Sequence, residues 1–83
     1  MGNKLLQIHN ESFATALKAI VKPTTEAGGT DASVLIVLES TITAVLLHLY
    51  PDHTRAASML EEGIVPGVIQ RLADHAAKQR GQS

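Results

Sequence analysis

The 83-residue sequence has no cysteine and no tryptophan, and apart from its histidines the only aromatic rings are those of Phe13 and Tyr50. Without cysteine there is neither a disulfide framework nor a thiolate metal site. The same absence fits a reducing compartment, so a cytoplasmic location is expected. Without aromatics the interior has to be built from Leu, Ile, Val and Ala, and there is little on which nucleic-acid bases could stack. An excess of positive charge is also missing. Seven Lys and Arg face eight Asp and Glu, for a net charge of −1, and the cations are scattered from Lys4 to Arg80. Phosphate neutralisation needs clustered cations, so no nucleic-acid partner is expected. Residues 1–6 turn polar at Gln7, His9 and Asn10, which predicts no secretory leader. Leu6 stands where an N-myristoylation pattern on Gly2 wants Ser or Thr.

Apolar content, by contrast, is high at 45%. A chain this short forms one domain, expected over residues 1–83. It buries only about 60–65% of the surface its unfolded form exposes, so its margin is thin. Small domains make up the deficit with disulfides, a metal or a partner, and a partner is the natural solution here.

The apolar residues fall at helical spacing. Leu6, Phe13 and Ile20 recur every seven residues, with Ala16 and Leu17 on the same side, which predicts an amphipathic helix over residues 3–21. Asn3 is placed to cap it, and Pro23 should stop it at Lys22. Gly28 and Gly29 read as a flexible loop, after which Thr30 or Asp31 caps a second helix over residues 32–50.

That second segment is the informative one. Residues 34–38 and 44–47 are unbroken apolar runs, and Glu39, Ser40, Thr41, Thr43 and His48 do not gather on one side. At about 100° per residue, five consecutive apolar positions cover every face of a helix. A helix that is apolar all round is buried all round or sits in a membrane. Glu39, His48 and the intervening Ser and Thr argue against a spanning segment, so no membrane is expected. Two or three short helices cannot surround 19 residues, so something else must cover them.

Asp52 is placed to cap a third helix over residues 53–62, with Ala56, Met59 and Leu60 facing inward and Gly63 as the stop. Pro66 suits the first turn of a fourth helix over residues 65–80. Val65, Val68, Ile69, Leu72 and Ala76 make its apolar stripe, and residues 79–83 should fray. One long helix kinked at Pro66 is the alternative, because Ala56, Leu60, Gly63 and Gly67 keep a continuous spacing. Those two glycines would then let another backbone approach closely.

Catalytic chemistry is thin. His9, His48, His53 and His75 show neither the i, i+4 spacing of a shared metal nor a His-Glu-x-x-His pattern, so no metal site is expected. The glycine pair lacks the Lys and spacing of a phosphate cradle. Ser40, Thr41 and Thr43 sit on no strained turn and have no recognisable base, and helical Ser and Thr tend to bond back to a carbonyl one turn earlier. Glu39 is either a general base raised by burial or a carboxylate paired across an interface to set register. The second is favoured, because no other catalytic group can be placed beside it.

The expectation is therefore an all-α protein of three or four helices around the apolar segment at 32–50, with no cofactor, completed as a homodimer or higher oligomer. Val34, Ile36, Val37, Glu39, Ile42, Val45 and Leu49 are the interface and core candidates. Functionally it reads as a non-enzymatic interaction module, a regulator or inhibitor that binds another protein. A carrier of an apolar small molecule or lipid, and an enzyme subunit using Glu39 with a histidine, are the alternatives from other classes.

Overall fold

The computed structural model describes residues 2–81. They form helices and short connections, with no strand among the described residues. In chain order these are α1 (Gly2–Glu26), α2 (Asp31–Leu49), α3 (His53–Met59), a π-helical turn (Leu60–Ile64) and α4 (Val65–Gly81). Contacts cluster into two units, Met1–Ile42 and Thr43–Ser83, with α2 running through the boundary.

In the first unit α1 is longer than the periodicity predicts at both ends. It already includes Gly2, so Asn3 lies in its first turn and is not its cap. At the other end Pro23 does not stop the helix, which continues to Glu26. A proline leaves the carbonyl four residues earlier without its donor and crowds it. Downstream, the Thr25 hydroxyl donates to the carbonyls of Val21 and Lys22, both at 3.1 Å, and the Ala27 amide reaches the Pro23 carbonyl at 3.2 Å. The real stop is Gly28, with φ +86°. Its amide donates to the Thr25 carbonyl at 3.1 Å, and the Gly29 amide donates to the Thr24 carbonyl at 2.8 Å. That pair of bonds is a Schellman cap, and the left-handed residue it requires is the one glycine supplies. The glycine pair is thus a built helix terminus, not a loose loop.

At the start of α2, Asp31 is the first helical residue and Thr30 precedes it. The Val34 amide donates to the Thr30 carbonyl at 3.2 Å, and the Ala32 amide donates to the Asp31 carboxylate at 2.9 Å. Along α2, Thr41 bonds back to the Val37 carbonyl at 2.8 Å, as a helical threonine does when no other acceptor offers.

The second unit begins with the last turns of α2. Asp52 caps α3 by accepting from the Thr54 amide at 3.1 Å, which satisfies one of the orphan donors. The break expected at Gly63 does not form. The Val65 amide instead donates to the Leu60 carbonyl, five residues back, so that α3 and α4 are joined through one widened turn. Pro66 supplies the reason, because it has no amide to give the Glu62 carbonyl and its ring needs room against that group. A turn with one extra residue just upstream provides the room. Two helices and one kinked helix are both partly right. At the C-terminal end α4 runs to Gly81, and Gln82 and Ser83, the last of the residues expected to fray, lie outside the described residues. Lys78 and Arg80 in the last turn favour the negative end of the helix dipole, and the Gln79 amide nitrogen lies 3.2 Å from His75 Nε2.

Candidate interaction surface

Leu46 and Ala56 are the buried hydrophobic residues among those described. Both belong to the second unit, where α2 ends and α3 begins. Met59, Leu60, Ile64 and Tyr50 are half-buried there, so the inward face expected of α3 is the one observed. The Arg55 guanidinium sits 5.5 Å from the centre of the Tyr50 ring, a cation–π contact that ties α3 to the end of α2.

Within each unit, apolar side chains are open to solvent. In the first unit, Leu6 and Phe13 are each 59% exposed and Ile36 is 62% exposed. In the second, Leu49 and Ile69 are about equally open, at 60% and 61%. These stripes are what amphipathic helices ordinarily bury, and exposed apolar surface that is contiguous marks a place where something docks.

Among the expected interface residues, Val34 and Ile42 are half-buried, while Ile36, Val37, Glu39, Val45 and Leu49 are exposed. Val45 and Leu49 are brought together with residues far along the chain. With Leu46 they line a groove whose other residues are Tyr50, Met59, Gly63, Ile64, Gly67, Val68 and Arg71. Its volume is about 410 Å³. A second, apolar groove lies between Thr43, Leu46 and Leu47 of α2 and His53, Ala56, Ala57 and Leu60.

The glycines of the first groove are its most specific feature. A methyl group added at Gly67 would meet nothing within 4 Å, and one at Gly63 would touch only the Met59 methyl at 4.0 Å. Each glycine in a helix interior costs about 0.5–1 kcal/mol relative to alanine, and nothing within the unit requires the missing side chains. Sequence spacing located this pair, but it did not locate Met59 or Arg71 beside them. The contribution of α2 to the same groove depends on the chain reversal at Pro51 and Asp52, which periodicity does not encode.

Glu39 is exposed and lines none of these grooves. Among the described residues, no three of His, Cys, Asp and Glu come together as a metal-binding group. The first unit's clearest side-chain pair is the stacking of His9 on Phe13, with ring centres 6.3 Å apart. Comparison with family models, with characterised proteins and with solved structures finds no match for this chain.

Proposed function

We propose that this chain is a non-enzymatic helical interaction module that assembles with itself, first as a homodimer, through the apolar surface of α2 and its neighbours. The observation that carries this reading is the contrast within α2: Leu46 is 7% exposed, whereas Leu35, Ile36, Val45 and Leu49 are all more than half exposed. A helix apolar on every side needs cover on every side, and a closed two-fold pair supplies it with one self-complementary patch. Its biological use would be regulation or inhibition of another protein through the same kind of surface. Val45→Asp tests it, because it places a charge at a half-exposed α2 position that lines the groove, while Leu46 and Ala56 stay as they are. The expected result is loss of the assembled species with helical content kept; an unchanged mass would contradict assembly through this part of α2.

A second reading has one observation in its favour. Among the described residues, α2 is a helix long and apolar enough to cross a membrane, a length of about 20 residues being sufficient. Flotation with phosphatidylcholine vesicles separates the two readings: recovery of the protein with the vesicles supports the membrane, and recovery in the soluble fraction as a dimer supports self-assembly. The remaining alternatives have less support. A carrier would need an enclosed cavity, and both apolar grooves have exposed residues along them, Thr43, Leu47 and Ala57 in one and Val45, Leu49 and Val68 in the other. An enzyme using Glu39 would need that carboxylate and a histidine in one cleft, and His53 lines a groove from which Glu39 is absent.

A further inference from the structure

We infer that the occupant of the Gly63–Gly67 groove is the α3–α4 helix of a second copy, lying antiparallel to its own counterpart. This rests on the self-assembly proposed above and identifies where the two copies meet.

Three features of the second unit lead to it. The first is shape. Gly63 and Gly67 stand one turn apart on a helix, and the space a side chain would take at each is open. Removing two side chains from one face lets the axis of a neighbouring helix approach closely, a gain realised only when a neighbour is present. The second is chemistry. Val45, Leu49, Met59, Ile64 and Val68 line this groove, so its floor and walls are apolar and aliphatic, as the centre of an interface is. A helix carrying the same groove presents matching groups.

Charge is the third feature, and it selects both the occupant and the direction. From Asp52 to Ile64 there are three carboxylates, Asp52, Glu61 and Glu62, against Arg55, for a net −2 with histidines neutral. From Val65 to Gly81 there are three cations, Arg71, Lys78 and Arg80, against Asp74, for a net +2. The sign changes at Gly63–Gly67, the middle of the groove. Two copies crossing there in opposite directions set each negative half against the other's positive half, whereas parallel copies would set like against like. A two-fold axis through the glycines satisfies this arrangement twice over, since every contact is repeated by symmetry. Opposed patches of this kind fix register and orientation more than they add affinity.

The test uses the full chain and two kinds of variant, read by light scattering with circular dichroism as the check on folding. Gly67→Leu fills the groove while replacing a poor helix former by a good one. The inference predicts that it weakens self-association about tenfold or more with helical content kept or raised. The double variants R71E/K78E and E61K/E62K make each helix uniformly charged. Each alone should be monomeric, and an equimolar mixture should recover the dimer, with recovery lost in 1 M salt. A wild-type dimer that survives Gly67→Leu unchanged, or charge variants that self-associate as well as the wild type, would overturn this seam while leaving self-assembly standing. A wild-type chain that is monomeric throughout would overturn both.

Discussion

The Val65 amide donates to the carbonyl of Leu60 and not to that of Glu61, which an α-helix would use. This widened turn joins α3 to α4 directly ahead of Pro66 and sets which α4 residues share a face with Met59. Accommodation of Pro66 is its cause, so Pro66→Ala should relax it. The variant regains an amide donor and loses the ring, so it should gain about 1–2 kcal/mol in urea unfolding, less than the full cost of an interior proline. No gain would show that Pro66 is as comfortable here as in the first turn of an isolated helix.

The cap after α1 yields a sharper test. Gly28 has φ +86°, a conformation that costs a residue with a Cβ about 1–2 kcal/mol. Gly28→Ala should therefore lower stability by roughly that amount. At Gly29 the backbone is unremarkable, but an added Cβ would stand 2.9 Å from the Thr24 carbonyl oxygen and 2.5 Å from its methyl group. Gly29→Ala should disturb the same terminus by crowding instead of by φ. Thermal melts of both variants check this, and wild-type melting of either would refute the cap as drawn.

Leu46 is the larger of the two buried side chains. Leu46→Ala should cost about 2–3 kcal/mol, the low end for a buried leucine because few neighbours enclose it. In so thin a nucleus even that loss should melt the turn around residues 43–60, visible as a drop in helical signal. Retained helicity at ordinary temperature would mean that α2 and α3 hold together without it.

Asp52 provides a local control. Its carboxylate accepts from the Thr54 amide, and Asp52→Ala should remove about 1 kcal/mol. Asp52→Asn keeps an acceptor and should recover most of the loss. Equal losses in both variants would assign the effect to charge and not to capping.

The helical pattern was legible because aliphatic periodicity is a local property. The stripe through Val65, Val68, Ile69 and Leu72 and the cap at Asp52 could be read directly. Pro23 does not end α1, because a proline withdraws a single amide from the ladder and the terminus is built further on, at Gly28 and Gly29. The widened turn at residues 60–64 was hidden for a related reason: a helix interrupted by Gly63 and Pro66 can break, kink or widen, and propensity does not choose among them. The groove residues divide the same way. Gly63 and Gly67 are visible as a spacing, whereas Val45 and Leu49 join them only because the chain turns back at Pro51.

The central claim is that the apolar surface left open by α2 and its neighbours is covered by a second copy, and solution mass measured by size-exclusion chromatography with light scattering tests it most directly. Over a concentration series the account predicts a dimer, or a larger species, that dissociates to monomer on dilution. A well-folded monomer at every concentration, with the helical signal of the full chain, would contradict it.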